Sequence, residues 1–295
     1  MGALYRILTS LELSARYGYT TTSSGSTRLS TRRRWWVTMS PEAEGRTAWV
    51  SAPSVDSSLG TKLLPSVLSL TAGSVDVISF LGLGGLFTAH ITGNLAILAV
   101  HLVGGGAAPL APMLSVPVFM VVLGLTRLLV DGLEAIGLAS LRPLLLLQFL
   151  LLAGFLVLCV AAGPRLDPNA ANAIVAGMLG VAAMAVQNAL VQISLKGAPS
   201  TAAMTSNVTR FTMDLGEMLL GRDPDEVAKA RSRAKHTWPP IVGFTVGCGL
   251  GAVGEAAIGL WSLALPAGLA LLAFAMGFSV KRRVSRVLAR TFPSP

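Results

Sequence analysis

The chain has 295 residues, of which 53% are hydrophobic and 13% are charged, and its mean hydropathy is +0.67. Soluble domains carry about 25% charged residues, so this composition excludes an ordinary soluble protein and predicts an all-α polytopic bundle in a lipid bilayer. The net charge of +9 does not indicate nucleic-acid binding, because the basic residues flank apolar segments and are not interleaved with aromatic residues.

Residues 1–60 form a basic N-terminal extension without an apolar run long enough to span a bilayer. They are rich in Ser, Thr and Arg, and we expect this extension to be disordered. Two explanations fit the composition of residues 1–38. They have the character of an organelle transit peptide, or Met39 is the true start of the protein, which is the interpretation we favour.

A membrane domain is predicted over residues 61–282, followed by a basic tail over residues 283–295. Six apolar segments in it have about the 20 residues that a bilayer core requires. These are Leu63–Leu86, Pro112–Leu133, Pro143–Ala162, Asn172–Leu195, Pro239–Ile258 and Leu260–Val280.

Two further segments are helical in character but poor as membrane spans. Ile91–Val103 is short and is interrupted by Thr-Gly-Asn, and Thr205–Leu220 contains three charged residues. Each charge costs about 2.5 to 3.5 kcal/mol at a lipid-facing helix centre. Short or broken segments at corresponding positions of two halves are typical of discontinuous transporter helices, so we predict that both re-enter the bundle.

The distribution of positive charge predicts the orientation of these segments. With six spans, both termini, Arg142 and the basic loop at residues 222–237 lie on the cytoplasmic side of the cell (inner) membrane, as the positive-inside rule requires. Eight full spans would move Arg142 outside, so the charges favour six. The membrane would be an organelle membrane if residues 1–38 are a transit peptide.

The sequence also contains an internal repeat, in which Ala89–Asn94 aligns with Ala202–Asn207. We call the difference in residue number between Ala89 and Ala202 the repeat offset. Adding it to a residue number in the first half gives the corresponding residue in the second half. The two halves cover about residues 63–163 and 172–280, and each consists of a span, a re-entrant segment and two more spans. An odd number of spans turns the second half upside down relative to the first, which predicts an inverted repeat.

Four sequence blocks resemble a family of bacterial membrane proteins. They are Ala72–Asp76, Gly85–Asn94, Ala185–Ala189 and Ala203–Asn207. Through them the chain resembles the YoaK family over about residues 63–280. The resemblance implies a compact polytopic inner-membrane protein, and it implies no particular substrate or reaction.

The candidate binding residues are polar side chains inside apolar segments. They are Asp76, His90, Thr92, Asn94, Gln187, Asn188, Thr205, Asn207 and Arg210. Asp76 lies near the middle of the first span, where an ionisable residue is a functional candidate that could carry a proton or cation. The alternative is a structural acid paired with Arg127, Arg210 or Gln187.

The Thr and Asn residues of the repeat suit the starts of short helices. Thr92 and Asn94, with Thr205 and Asn207, could cap backbone N–H groups there. The positive helix ends would then point inward and favour anions, to which Arg210 would add charge. The alternative is that these side chains only satisfy a broken backbone. Likewise, Gln187 and Asn188 either line a site or tie helices together.

We predict no metal and no cofactor. Cys159 and Cys248 lie in apolar segments, the three histidines are scattered, and we find neither a nucleophile and base pair nor a nucleotide-binding loop. The leading interpretation is a small secondary transporter or permease for a small solute or ion, with a midplane site formed by both halves. An intramembrane enzyme using His90 and Asp76 is an alternative.

A non-transporting scaffold or assembly factor is the other alternative. Gly243, Gly247 and Gly251 recur at a spacing of four and form a flat helix strip for close packing, either within the chain or in a homodimer. A transporter predicts water-accessible polar groups inside the bundle, whereas a scaffold predicts a dry and fully paired interior.

Overall fold

The structure is a computed structural model that describes residues 59–104, 109–163 and 166–279. The extension predicted over residues 1–60, except for its last two residues, and the tail predicted over residues 283–295 lie outside this description. Within the described ranges all regular structure is helical. The α helices are α1 (Leu59–Gly82), α2 (Ile91–Gly104), α3 (Leu110–Ala135), α4 (Leu141–Ala162), α5 (Ala171–Ser194), α6 (Met204–Leu220), α7 (Pro224–Ile258) and α8 (Ala264–Ser279).

Five stretches of the described chain are helical, long and apolar enough to cross a membrane, which confirms the polytopic helical bundle. The fifth stretch, Pro224–Phe278, contains both α7 and α8, which are separated by a turn at Gly259 and a short 3-10 helix. All six predicted spans therefore coincide largely with helices. At the far end of α8, Arg142 Nε donates to Gly277 O at 3.2 Å, so α8 ends beside the start of α4.

Two predicted boundaries were wrong. The first helix ends at Gly82 and not at Leu86, because Gly84 and Gly85 adopt positive φ angles of 65° and 90°. The fifth predicted span does not begin at Pro239 but continues a helix that starts at Pro224. The Asp223 side chain accepts a hydrogen bond from the first turn of this helix, and proline suits a first helical position because it has no N–H to satisfy.

Helices α1 and α7 run parallel in close contact along the glycine strip. Gly243, Gly247 and Gly251 lie, in that order, against the α1 backbone at Ser66, Leu70 and Ser74. Because glycine has no side chain, the two backbones approach directly. The strip is therefore occupied by a contact within the chain, which was one of the two predicted alternatives, and a homodimer through the same glycines would have to displace α1.

The halves of the chain are intertwined. Helix α1 packs on α7 and α8, and α5, the corresponding first helix of the second half, packs on α3 and α4. Within each half, α2 packs on α3 and α6 packs on α7, and α4 packs on α8 across the halves. Each of these contacts has its counterpart when the two halves are exchanged.

The bundle has one end that carries the basic residues. We call it the basic end; here α1 and α4 begin, whereas α3, α5 and α8 end. Of the described residues, every Lys and Arg lies toward or beyond this end, and half of them lie in the stretch 222–235. We call the opposite end, where α1 and α4 finish, the His90 end.

Helix α6 lies at the basic end against an extension of α7. Because Gly243 lies against Ser66, α7 begins about 18 Å beyond the level at which α1 begins, at 1.5 Å per residue. Asp214 of α6 is bonded to Arg233 within this extension. Helix α6 covers the segment predicted over Thr205–Leu220 and packs on α7 as α2 packs on α3, and its re-entry into the membrane stays a prediction.

Candidate functional site

Residues 83–90, which connect α1 to α2, form a loop that folds back along α1. We call this segment the first re-entrant loop. Thr88 N and Ala89 N donate to Asp76 Oδ1 at 2.8 and 2.7 Å. Since Asp76 lies six residues before the end of α1 at Gly82, the loop returns about 9 Å into the bundle.

A short contact between two side chains completes this arrangement. His90 Nδ1 lies 2.6 Å from Asp76 Oδ2, so one carboxylate oxygen holds the loop backbone and the other holds the imidazole. The Asp76 side chain is 3% exposed, whereas that of His90 is 37% exposed. A buried charge is stable only when it is paired and hydrogen-bonded. We call the Asp76–His90 pair with these backbone bonds the latch.

The latch changes the chemistry of His90, which lies in the loop between two helices. The hydrogen bond to Asp76 raises the pKa of His90 above its ordinary 6.5, and partial burial opposes this effect. The imidazole ring also meets the Phe244 ring of α7 edge to face, with centroids 5.3 Å apart. A protonated His90 would therefore join the loop to both α1 and α7.

Asn94 fixes the outer part of the first re-entrant loop. Its Oδ1 accepts from Phe87 N at 2.9 Å, and its Nδ2 donates to Phe87 O and to Ser115 Oγ, each at 2.7 Å. Asn94 is fully buried. Asn94 is the fourth residue of α2, and it bonds the backbone of Phe87, seven residues earlier. It was predicted instead to cap the N-terminus of this helix.

A gap in the surface of α5 accommodates this loop. A Cβ atom at Gly180 would lie 2.9 Å from Thr88 Cγ2 and 2.8 Å from the Phe155 ring, closer than real side chains pack. Thr88 is completely buried. The first re-entrant loop is thus enclosed by α1, α5 and α7.

Residues 195–203, between α5 and α6, form the second re-entrant loop at the basic end. Gln187 Nε2 donates to Thr201 Oγ1 at 2.9 Å and to Leu68 O of α1 at 3.0 Å. Gln148 Nε2 of α4 donates to Gln187 Oε1 at 2.7 Å. Gln187 lies seven residues before the end of α5, so this loop also folds back along the helix that precedes it.

The two loops correspond in detail at the repeat offset. Asn207 Nδ2 donates to Ser200 O at 2.6 Å, again seven residues back, as Asn94 does to Phe87. The following correspondences have the same offset: Gly84 and Gly197 at positive φ, Thr88 and Thr201 in the buried contact, and Ile91 and Met204 at the helix starts.

The latch belongs to one half only. At the repeat offset, Asp76 and His90 correspond to Ala189 and Ala203. The second re-entrant loop is therefore held by neutral hydrogen bonds, which are individually weaker than charged ones.

A cleft of about 560 Å³ lies beside the second re-entrant loop, between that loop, α6 and the extension of α7. Its polar lining consists of Asn207, Thr209, Arg210, Asp214, Arg233, His236 and Thr237. The volume is in the range of small-molecule sites, about 300 to 1,000 Å³. Charged and polar groups of two helices thus meet around one space large enough for a small solute.

A family model described as a protein of unknown function, DUF1275, matches residues 64–276. The chain belongs to the DUF1275 family. The matched segment includes both re-entrant loops and the cleft, and it agrees with the segment that resembles the YoaK family. No curated protein and no solved structure matches the chain.

The DUF1275 fold distributes the predicted site residues over separate places. Asp76, His90 and Asn94 lie around the first re-entrant loop, Gln187 holds the second, and Asn207 and Arg210 line the cleft. Thr92 and Thr205 are exposed, and Asn188 donates to Met184 O within its own helix. The structure therefore does not bring the two halves' polar residues into one midplane site.

Two predicted roles within this set were wrong. The partner of Asp76 is His90, and not Arg127, Arg210 or Gln187, because the loop folds back where helical spacing gives no guide. The N-cap residue of α6 is Ala203, which offers no side-chain cap, because the helix begins one residue before Thr205.

Several polar residues of the two loops and the cleft were missed. No sequence pattern singled out Ser115 or Thr88, and Arg233 and His236 lie in the segment that was predicted to be a cytoplasmic loop. The signal for the cleft residues was Asp223 followed by Pro224 and two acids, which predicts a helix start.

Proposed function

We propose that this protein is a small secondary transporter built from two inverted repeats, in which the two re-entrant loops act as gates at opposite ends. The observation that carries the proposal is the correspondence of the loops. Both fold back against a buried polar residue about two turns inside a helix, one at each end of the bundle. Inverted repeats with broken helices at corresponding positions are the architecture of many secondary transporters.

The packing of the helices supports an inverted relation. Helices α4 and α5 are antiparallel, since Ser140 bonds Ser194 and Gln148 bonds Gln187. In addition, each pair of helices that pack together has a counterpart pair when every helix is replaced by the corresponding helix of the other half. A first half related to the second by an axis in the membrane plane would produce both features.

The two gates differ in state. At the His90 end the latch encloses the first loop, whereas at the basic end the second loop borders the cleft. A transporter that is closed at one end and open at the other would combine these features. By the positive-inside rule the basic end faces the cytoplasm, so the described state would be open inward.

Polar atoms in the interior favour a transporter over a scaffold. Ser66 Oγ, Ser69 Oγ and Gln148 Oε1 are buried without a hydrogen-bond partner among the described residues. The two serines flank Leu68, whose carbonyl accepts from Gln187. Unpaired buried polar groups cost about 1 to 3 kcal/mol each, so a site at which a passing solute or water pairs them would explain their presence. A scaffold gains nothing from them.

Uptake by reconstituted protein tests the proposal. Purified protein in proteoliposomes would be given a panel of small charged solutes, with protein-free liposomes as the blank. We expect uptake of at least one solute, and a several-fold loss on His90→Ala because the outer gate no longer closes. His101→Ala is the matched control, since His101 lies at the same end and bonds only Ile97 O of its own helix.

The scaffold function predicts the opposite result. Folded protein that transports no solute of the panel above the blank would contradict the transporter proposal. Equal rates for the His90 and His101 variants would remove the latch from the mechanism while leaving transport in place.

A further inference from the structure

The cleft at the basic end contains an excess of positive charge. Arg233 donates through Nε and Nη2 to Asp214 Oδ1 at 2.8 and 2.7 Å. In this pair the Asp214 carboxylate neutralises the charge of Arg233 through one of its oxygens. Arg210 forms no ion pair with the described residues and lines the same cleft, with His236 opposite on α7.

The hydrogen-bonding groups around the cleft leave Arg210 as its main free donor. The hydroxyls of Thr209 and Thr237 donate to the backbone oxygens of Thr205 and Arg233. Asn207 Nδ2 is directed at Ser200 O. A guanidinium has five N–H groups in a planar fork that matches a carboxylate or phosphate, so the donor that is left suits an oxyanion.

The other half offers no such chemistry. At the repeat offset, Ile97 corresponds to Arg210 and Met120 corresponds to Arg233. The charged cleft is thus an addition to the repeated fold and is not required by it. The cleft borders the second re-entrant loop, whose Thr201 is bonded to Gln187 in the interior.

We propose that this cleft binds a small oxyanion, a carboxylate or phosphate group, through Arg210. The identification of this anion as the transported solute rests on the proposed function. The oxyanion could belong to a free solute or to a phospholipid headgroup. A headgroup is the second source because the cleft lies at the depth where α1 begins, which is the end of the apolar bundle.

Binding to purified protein in lipid-free detergent separates these sources. The probes are sodium phosphate, sodium succinate and micellar phosphatidylglycerol, with sodium chloride at equal ionic strength as the blank and thermal stability and calorimetric titration as readouts. We expect phosphate or succinate to bind the parent, and binding to weaken about tenfold or more in Arg210→Gln, since charge-assisted bonds are lost.

Two variants control for charge and folding. Arg222→Gln removes the same charge from an exposed arginine outside the cleft and should bind like the parent. Arg210→Lys keeps the charge without the planar fork and should bind with intermediate affinity. Arg210 is exposed, so its replacement should leave the fold intact.

Each outcome has a definite meaning. Equal binding by the Arg210→Gln and Arg222→Gln variants, or no binding of any of the three probes, would overturn the proposal. Binding of phosphatidylglycerol alone, lost in Arg210→Gln, would support the oxyanion site and assign it to lipid. Because the assay needs no transport, Arg210-dependent binding together with failed uptake would sink the proposed function alone.

Discussion

The two re-entrant loops share a backbone path but differ in what holds them. The first is fastened by a buried carboxylate that binds two close N–H groups and an imidazole. The second is fastened by hydrogen bonds from two neutral side-chain amides. Gln187 donates to Thr201 Oγ1, and Asn207 donates to Ser200 O. The comparison teaches that a repeated fold can keep its loop geometry while the interactions that stabilise its two ends diverge.

This difference has a physical consequence for opening. Releasing the first loop leaves a charged group without its partners in a buried place, whereas releasing the second breaks neutral hydrogen bonds. The first loop should therefore open less readily than the second. In the proposed transporter, the latch would make the His90 end the controlled gate.

The largest expected effect is that of Asp76→Ala. The change leaves Thr88 N, Ala89 N and His90 without their acceptor, and we expect it to cost about 3 to 5 kcal/mol of stability. Thermal or denaturant unfolding in detergent measures this cost. Asp131→Ala is the control, because Asp131 forms only an exposed pair with Arg127 and should cost under about 1 kcal/mol. Equal costs for the two variants would mean that the latch contributes nothing.

The corresponding asparagines provide a smaller and more direct comparison. Asn94→Ala removes three hydrogen bonds from a fully buried position, whereas Asn207→Ala removes one to Ser200 O and a longer one, at 3.9 Å, to Met204 Sδ. At about 1 kcal/mol per bond, and less for the long bond to sulfur, the first variant should lose roughly 1 to 2 kcal/mol more than the second. Unfolding midpoints of the two variants decide this. A greater loss from Asn207→Ala would contradict the ranking of the loops.

The smallest expected effect is a dependence of stability on pH. Because the pKa of His90 is raised in the folded protein, its contribution is complete below the ordinary value of 6.5 and is lost as the pH rises through the folded value. Solvent screening at the partly exposed ring limits the change to about 1 kcal/mol. Melting curves of the parent and His90→Gln between pH 6 and pH 9 measure it. Parallel curves would show that His90 is not protonated in the latch.

The sequence predicted those parts of the fold that depend on local patterns. The apolar runs locate most of the helices, and the repeated Thr-x-Asn motif marks the starts of α2 and α6 within one residue. Asp76 was predicted near the middle of the first span, and it is buried there.

Other features depend on places where the chain reverses direction, and no periodic pattern in the sequence marks those places. The bond from His90 to Asp76 spans 14 residues through two glycines with positive φ angles, so helical spacing could not identify it. The cleft was missed because residues 222–237 were predicted to be a loop. The helix in fact continues from Pro224, which places His236 opposite Arg210.

The most direct test of the account is whether the two loops open in alternation. Single cysteines at Thr88 and at Ala198, in a background without Cys159 and Cys248, would report on the first and second loops through their rates of modification by a maleimide. Thr88 is completely buried and Ala198 lines the cleft, so the parent should react slowly at the first position and rapidly at the second.

Adding His90→Ala to both reporters gives the decisive result. We predict that the rate at Thr88 rises several-fold and that the rate at Ala198 falls, because opening one gate shifts the population toward closure of the other. His101→Ala should change neither rate. A rise at Thr88 with no change at Ala198 would show that the latch controls only its own loop, and it would contradict the coupling of the two gates.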